Sequence, residues 1–291
     1  MSGLPASQVS RGIALMLLAV LCFATMDALA KGLVARYPAP QVVWVRYFGQ
    51  LVIVLVLLNR HALAALRTDY PWQHMARSAF QFGATALFFL SLTRLGLAEA
   101  TALADISPVL ITVAAAIFLG EKLGPRRLAG VVAAMIGALI IIRPGSGIFS
   151  PWALLPIGAA LSYAGNAVLT RHLGMKEPVW TSLLHASIFG TVVSSLALPF
   201  VWEPVTGPDL WLFVVVGVLG TTAQLFLIRS FSTTEAAVVA PFTYLGIVVA
   251  TFWGIVLYGQ WPDRWTVIGA LVIAGAGLYV WHPENRATRV P

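Results

Sequence analysis

Ten apolar segments, each close to the length of a membrane crossing, constrain this chain more than any other feature of its sequence. A membrane-spanning helix needs roughly 20 mainly apolar residues, and the short breaks between the segments carry Pro and Gly, which favour turns. The segments cover about 12–34, 42–58, 75–95, 100–119, 127–142, 151–171, 179–200, 210–229, 236–258 and 265–281. The sequence therefore predicts an all-α integral membrane protein with ten transmembrane helices.

The composition agrees with a lipid environment. Hydrophobic residues make up 59% of the 291 and charged residues only 10%, with a mean hydropathy of +0.87, whereas soluble domains carry about 25% charged residues. The net charge is +7, but the basic residues stand in the short breaks and form no block that would track phosphates. We therefore expect the lipid bilayer, and no nucleic acid, as a partner.

Residues with metal or redox chemistry are sparse. Cys22 is the only cysteine, so no disulfide can form within the chain, and no Cys/His cluster has the spacing of a zinc site. We expect no metal and no cofactor.

The basic residues also orient the spans. With the N-terminus inside, twelve Lys and Arg residues fall on the inner side, against Arg36, Arg94, Arg143 and Arg264 on the other side. Cytoplasmic loops carry an excess of Lys and Arg. We therefore expect a multi-pass protein of the inner (cell) membrane with both termini in the cytoplasm.

The two halves of the chain resemble each other. Gly120, Gly130 and Pro144 recur 139 residues later as Gly259, Gly269 and Pro283, which indicates a five-helix repeat. We place the repeats at 12–142 and 151–281, with short cytoplasmic tails at 1–11 and 282–291. Because five is odd, the second copy enters the membrane from the opposite side, and inverted repeats of this kind are typical of alternating-access transporters.

Motifs in both repeats identify a family resemblance. The run Glu99-Ala-Thr-Ala-Leu-Ala-Asp-Ile-Ser-Pro108, followed by Leu119-Gly-Glu-Lys-Leu123, resembles an EamA repeat of the drug/metabolite transporter superfamily. Glu235-Ala-Ala-Val-Val-Ala-Pro-Phe-Thr-Tyr244 and Tyr258-Gly-Gln-Trp-Pro262 resemble the second copy, in which Gln260 replaces the acid of the Leu-Gly-Glu motif. We expect that position to be structural or dispensable in the second half.

This resemblance implies ten helices around a central cavity and secondary transport of a small metabolite. Our first expectation for the cargo is the export of an amino acid or an amino-acid-like metabolite. The alternative is uptake or exchange of a vitamin or nucleoside-like metabolite, such as riboflavin or S-adenosylmethionine.

Four ionisable residues lie inside the first, second and fourth spans, where a charge is costly and therefore suggests function. Asp27, Lys31, Arg46 and Asp105 are all predicted in the periplasmic half. They form either two neutralising ion pairs, Asp27–Lys31 and Asp105–Arg46, or a gate or site for a substrate carboxylate, phosphate or ammonium. The planar guanidinium of Arg46 suits an anionic group.

The second repeat replaces these charges. At the offset of 139, Asp27 corresponds to Asn166 and Arg46 to His185, and His185 is a possible proton relay. Tyr163 and Asn166 share one helix face, and Gln224 is a further residue expected to line the cavity. The alternative is that these side chains only form hydrogen bonds between helices.

Two prolines and two small-residue ridges complete the predicted features. Pro108 and Pro241 lie inside the fourth and ninth spans and are expected to act as hinges, since each removes a backbone donor. Ridges of small residues on the fifth helix (Ala129, Ala133, Gly137) and tenth helix (Ala270, Ala274) predict close packing, within the chain or in a homodimer.

Two other classes of membrane protein remain less favoured alternatives. We expect no catalytic residues, because neither HExxH nor GxSG is present; a dyad of Asp27 and Asp105 would need one raised pKa, which Lys31 and Arg46 nearby would oppose. A channel would favour a ring of charges of one sign, which the mixed cluster lacks.

The orientation is testable by labelling. In a Cys22→Ser background, single cysteines at Ala64 and Gly124 should resist a membrane-impermeant maleimide in intact cells, because both positions are predicted to be cytoplasmic. Labelling after permeabilisation is the control. Labelling at either position in intact cells would reverse the predicted orientation.

Overall fold

Helices form all the regular structure in the part of the chain that the computed structural model describes, residues 6–119, 125–143, 150–173, 177–233 and 240–287. The predicted all-α fold of ten spans is confirmed. The spans are α1 (Ala6–Val34), α2 (Ala39–Leu58), α3 (Pro71–Leu92), α4a (Leu97–Ala104), α4b (Ser107–Leu119), α5 (Pro125–Ile142), α6 (Leu154–Leu173), α7 (Val179–Ser195), α8 (Gly207–Thr233), α9 (Leu245–Tyr258) and α10 (Arg264–Ala287).

Short helical pieces extend several spans. The 3-10 helix Asn59–His61 and the α-helix Ala62–Ala65 follow α2, Leu198–Val201 follows α7, and 3-10 turns at Pro151–Ala153 and Ala240–Tyr244 precede α6 and α9. Several predicted features lie outside the described residues: the Gly120-Glu121 motif, Pro144, Glu235 and the ends of both tails.

Length and hydropathy alone identify only some of the spans. Four described helical segments are long and apolar enough to cross a membrane: Gln8–Val34, Ala39–Ala65, Pro151–Thr170 and Gly207–Ser230. Leu128–Ile142, Phe242–Tyr258 and Arg264–Tyr279 are apolar but shorter. The third span is less apolar because it buries His74 and Arg77, and the fourth is interrupted at Asp105.

The helix contacts are preserved when each helix is replaced by the one five places along the chain. Helix α1 packs on α8 as α6 packs on α3, and α4b packs on α6 as α9 packs on α1, whereas the pairs α2–α7 and α5–α10 are each carried onto themselves. Such a contact pattern is what a two-fold relation between two five-helix halves produces. Since each half contains an odd number of spans, the halves run through the membrane in opposite directions, as inverted repeats do.

Connections on the same side of the helices contact each other and define two faces. At the N-terminal face, where α1 begins, Thr68 Oγ1 donates to Glu177 Oε1 (2.9 Å) and joins the α2–α3 and α6–α7 connections. At the opposite face, the Tyr37 hydroxyl lies 3.0 Å from Thr206 Oγ1 and joins the α1–α2 connection to the segment before α8. The chain therefore alternates between the two faces.

The outer surface of the bundle is apolar along the helices and aromatic near their ends. Val56, Leu161 and Leu271 are each more than 60% exposed, which suits contact with lipid. Trp72 and Trp261, both 76% exposed, lie next to the connections, as interfacial tryptophans do.

Two spans are broken at matching places in the two repeats. The fourth span, predicted to be continuous over 100–119, is interrupted at Asp105 and Ile106, and Pro108 is the second residue of α4b, where a missing N–H costs little. The ninth span begins as the 3-10 turn Ala240–Tyr244, which contains Pro241. Broken helices occur within membranes where they face protein or a cavity. The structure shows these interruptions, whereas a hinge motion at them remains a proposal.

The departure from the family motif at Gln260 is structural. Gly259 ends α9 in the left-handed conformation (φ 61°) that glycine adopts most easily. Gln260 Oε1 then lies 3.3 Å from the backbone nitrogen of Leu97 and accepts its N–H, which is one of the unpaired donors at the start of α4a. The side chain at this position therefore supports the start of the broken fourth span.

Helices α5 and α10 pack on each other at Gly137 of the predicted α5 ridge. A Cβ placed on Gly137 would lie 2.9 Å from the carbonyl oxygen of Gly269, and one on Gly269 would lie 2.6 Å from that of Gly137. The two backbones therefore cross in direct contact. Ala129 of the same ridge is exposed, so the close packing within the chain is shown at Gly137.

This crossing can be tested by a matched pair of substitutions on α10. Gly269→Ala should lower the free energy of unfolding by about 1–3 kcal/mol, since the added methyl group meets backbone. Gly275→Ala adds the same methyl group where nothing lies within 4 Å and should be neutral or stabilising. Thermal unfolding of the purified protein in detergent measures both variants. Equal effects would show that α5 and α10 are not in close contact.

Candidate substrate site

Arg46 is the most buried charge of the central region. Its side chain leaves α2 roughly 10 Å from the helix start, at 1.5 Å per residue, and only 3% of it is exposed. The guanidinium donates to Thr85 Oγ1 of α3, and its Cζ lies 5.1 Å from the Tyr47 ring centroid and 5.9 Å from that of Phe89. Nε is buried without a hydrogen-bond partner among the described residues, so Arg46 keeps donor capacity for a ligand.

A chain of hydrogen bonds runs from Arg46 to the second repeat. Thr85 Oγ1 lies 3.0 Å from the Tyr47 hydroxyl, which donates to the carbonyl oxygen of Gln81 (3.1 Å). Gln81 Oε1 in turn accepts from Asn166 Nδ2 of α6 (2.9 Å). The predicted inward orientation of Asn166 is therefore confirmed, and its Oδ1 is buried without a partner among the described residues.

Two carboxylates and two phenols lie beside this series of hydrogen bonds. Asp27 of α1 is within electrostatic range of Arg46, and Asp105 is within range of Asp27. The hydroxyls of Tyr163 and Tyr244 are in turn within range of Asp105. Asp105 and Tyr244 stand at the two helix breaks, so the interrupted spans bring polar groups of both repeats together.

Five buried polar atoms in this central region have no hydrogen-bond partner among the described residues. They are Arg46 Nε, Asp105 Oδ2, Asn166 Oδ1, Gln224 Oε1 and Tyr244 Oη. Leaving such atoms unpaired in a dry interior costs about 1–3 kcal/mol each. A polar ligand or water between the two halves would satisfy them. We refer to these five residues with Asp27 and Tyr163 as the central polar site.

Neither predicted ion pair is formed. Lys31 turns away from Asp27 and donates to the carbonyl oxygens of Leu92 (3.2 Å) and Leu95 (2.6 Å) at the end of α3, where a cation meets the negative end of the helix dipole. Arg46 is close to Asp27 and not paired with Asp105. The prediction failed because a long Lys side chain can reach carbonyls on a neighbouring helix, and spacing along one helix does not reveal them. Lys31 therefore gives no reason to exclude a carboxylate dyad, although Arg46 still does.

The opposite face is tied together by ion pairs. Arg36 donates to Asp209, which also accepts from the Tyr37 hydroxyl (2.9 Å). Arg143 and Asp263 form a second pair (2.5 Å) between the end of α5 and the α9–α10 connection. Burial alone would raise the pKa of the Asp263 carboxyl, but hydrogen bonds from Thr266 and the charge of Arg143 hold that pKa below its usual range. The second pair therefore persists at neutral pH and weakens only as the pH falls through that lowered pKa.

His185 lies away from the central polar site, at the N-terminal face. It lines a vestibule of about 630 Å³ together with Arg67, Thr68, Asp69 and Glu177. A smaller cavity of about 210 Å³ lies at the opposite face beside Glu99, Arg143 and Asp263. Because the second repeat is inverted, the counterpart of Arg46 is expected on the opposite side from Arg46, and the structure places His185 there, apart from the central polar site.

A family model for the EamA-like transporter family matches residues 10–143 and 150–281. The chain belongs to the EamA-like transporter family. The two matched stretches account for nearly the whole protein, so the resemblance seen in the motifs holds for both halves.

Curated relatives of this EamA-like protein are named as transporters. The chain is 32% identical to a riboflavin transporter of Rhizobium johnstonii, an alignment that covers 95% of this chain and 92% of the relative. It is 27% identical to an S-adenosylmethionine uptake transporter of Rickettsia felis (95% and 94% covered) and 29% identical to a pseudopaline exporter of Pseudomonas aeruginosa (91% and 94%). This chain is therefore a membrane transporter of small metabolites.

A solved structure shares the fold. It matches with a TM-score of 0.68 over 97% of this chain and 99% of its own length, at 20% identity. At that identity the likeness concerns the arrangement of helices alone.

Two buried residues of this transporter are not expected from the sequence. His74 and Arg77 of α3 are 0% and 2% exposed, although Arg77 is one of the twelve basic residues assigned to the inner side. The sequence pattern that indicates their burial is a polar stripe at helical spacing along one face of the third span. It consists of His74, Arg77, Gln81 and Thr85. An apolar helix with such a stripe must turn it toward the protein interior.

The correction at Lys31 can be tested by a double-mutant cycle. Asp27→Asn and Lys31→Met should change the free energy of unfolding independently, with a coupling below about 0.5 kcal/mol, because the two side chains do not pair. Unfolding of the purified protein by SDS in mixed micelles gives the four free energies. Breaking a buried ion pair costs about 3–5 kcal/mol, so a coupling of several kcal/mol would restore the Asp27–Lys31 pair.

Proposed function

We propose that this protein is a secondary carrier that exports an amino acid or an amino-acid-like metabolite by alternating access. The observation that supports this most is the group of unpaired polar atoms from both repeats at the central polar site. Inverted-repeat carriers bind their cargo near the membrane midplane, between the repeats and beside broken helices. The breaks before Pro108 and at Pro241 provide such a place.

The charges of the site suit a zwitterion. The planar guanidinium of Arg46 can hold a carboxylate, and Asp27 and Asp105 provide negative charge for an ammonium group. The amides of Asn166 and Gln224 would then contact the rest of the cargo. An ammonium between the two acids would also relieve their mutual repulsion.

The two faces of the structure support loading from the cytoplasm. The larger vestibule opens at the N-terminal face, which the basic residues orient toward the cytoplasm. The pairs Arg36–Asp209 and Arg143–Asp263 join helices at the opposite face. A carrier in this conformation accepts cargo from the side of the N-terminal face.

Uptake of a heterocyclic metabolite is the second candidate, and the named relatives favour it. Two of those relatives are named for riboflavin and for uptake of S-adenosylmethionine. The amide oxygens of Asn166 and Gln224 could pair with the edge of a heterocycle. S-adenosylmethionine also carries an α-amino and an α-carboxylate group, so one site could serve both candidates.

Counterflow in proteoliposomes tests the proposal. Vesicles loaded with one unlabelled compound are diluted into its radiolabelled form, for each amino acid, riboflavin and S-adenosylmethionine. Arg46→Gln should lower the exchange of a zwitterionic cargo at least tenfold, since a charge-assisted hydrogen bond contributes roughly 1.5–3 kcal/mol. Arg60→Gln, an exposed change at the N-terminal face, is the matched control and should leave exchange unchanged.

Four outcomes separate the alternatives. Exchange of amino acids that is lost in Arg46→Gln, with folded protein retained, supports the zwitterion site. Exchange of riboflavin alone, unaffected by the same change, would replace that proposal with the heterocycle carrier. Flux that shows no counterflow and does not saturate would indicate a channel. Cleavage of any compound in the panel would indicate an enzyme.

A further inference from the structure

A pair of stacked imidazoles links two helices at the N-terminal face. The rings of His74 on α3 and His185 on α7 lie with their centroids 4.9 Å apart and an interplanar angle of 26°. His74 is completely buried, whereas His185 is half-buried and lines the vestibule. The pair therefore extends from the vestibule into the protein interior.

The hydrogen bonds of the two imidazoles leave ring nitrogens available to accept a proton. His185 Nδ1 lies 2.9 Å from the carbonyl oxygen of Thr181, which can only accept, so Nδ1 carries the hydrogen and Nε2 has a free lone pair in the neutral ring. Both ring nitrogens of His74 are buried without a hydrogen-bond partner among the described residues. Each ring thus has a nitrogen that can accept a proton, and His185 is the ring that lines the vestibule.

One carboxylate lies close enough to His74 to be attracted when the imidazole is protonated. Glu177 Oε2 is 3.8 Å from His74 Nε2, too far for a hydrogen bond but within ion-pair range, and the Glu177 side chain is mostly buried. Its other oxygen accepts from Thr68 (2.9 Å). Glu177 thus touches the α2–α3 connection while facing the start of α3.

The other charges around the pair limit it to one proton. On α3, Arg77 stands one turn from His74 and donates to Thr170 Oγ1 of α6 (2.7 Å) and the Ser182 carbonyl oxygen (3.3 Å). Arg67 and Asp69 of the α2–α3 connection line the vestibule beside His185. A second proton on stacked rings next to Arg77 would be repelled, whereas a first is balanced by Glu177.

We propose that His74 and His185 together bind one proton from the vestibule and that this proton couples transport to pH. Protonation draws Glu177 into a charge-assisted hydrogen bond with His74, which brings Glu177 and Pro178 toward the start of α3 and narrows the vestibule that they line. Loss of the proton releases Glu177 and opens it again. Cargo therefore enters the vestibule only while the pair is unprotonated, so the pH on the side of the N-terminal face controls loading. The role in coupling rests on the proposed carrier function.

The pH dependence of exchange tests the site. In counterflow with the cargo found above, exchange should fall about tenfold for each pH unit below a single-proton transition between about pH 5 and 8. His74→Gln and His185→Gln should each remove the transition and keep the exchange rate seen at high pH. His61→Gln, an exposed histidine of the same face, is the matched control and should keep the wild-type profile. Variants that retain the wild-type transition would overturn the proposal.

A measurement without transport separates this inference from the carrier proposal. Spin labels at Ala64→Cys and Pro178→Cys in a Cys22→Ser background report the distance between the α2–α3 and α6–α7 connections. That distance should shorten between pH 8 and pH 5.5, and His185→Gln should abolish the change. If the distance shifts while no compound is exchanged, the proton site stands and the proposed carrier function fails. If exchange occurs but neither exchange nor distance depends on pH, the proton site is refuted and the carrier stands.

Discussion

Every polar group inside the membrane must find its partner within the protein, because hydrocarbon offers no hydrogen bonds. This requirement decides where the polar side chains of the transporter point. Arg46, Gln81 and Asn166 turn inward and bond across α2, α3 and α6, and Lys31 reaches the carbonyl end of α3. The same requirement makes the broken fourth and ninth spans possible only in the interior. The unpaired atoms beside those breaks are therefore the strongest indication of where a polar cargo binds.

The two repeats share an architecture but differ in chemistry. Exchanging the halves preserves the helix pairing, yet Asp27 and Arg46 of the first repeat correspond to Asn166 and His185 of the second. One half thus provides the charges of the central polar site, while the other provides amides there and, at the N-terminal face, His185, which stacks on His74 of the first half. The polar side chains differ between the two repeats, so they can hold a cargo in one orientation. The helices are arranged alike in both repeats, so they can move between two equivalent conformations.

Hydrophobic periodicity and turn residues predict the ten spans, the five-helix repeat and most of the bounds. The exceptions are α1, which begins at Ala6 and not at 12, α9, which begins at Leu245 and not at 236, and α10, which ends at Ala287 and not at 281. The inward stripe of Tyr163 and Asn166 was also predictable, because lipid cannot accommodate it. Partners across helices were not predictable. Lys31 is four residues from Asp27, a spacing that favours pairing on an isolated helix, but the end of α3 offers two carbonyls instead. His74 was missed because it lies near a predicted connection, and only the packing of α3 on α7 places it against His185.

The central claim is that cargo bound at Arg46 reaches one face at a time. Arg36 and Asp209 are in direct contact at the opposite face, so a double cysteine variant (Arg36→Cys and Asp209→Cys, in Cys22→Ser) can be joined by a short bifunctional thiosulfonate and released by reductant. Cargo binding and counterflow are then measured on the same sample. We predict that the joined protein still binds cargo from the N-terminal face but exchanges none across the membrane, and that reduction restores exchange. Undiminished exchange in the joined protein would contradict alternating access around this site.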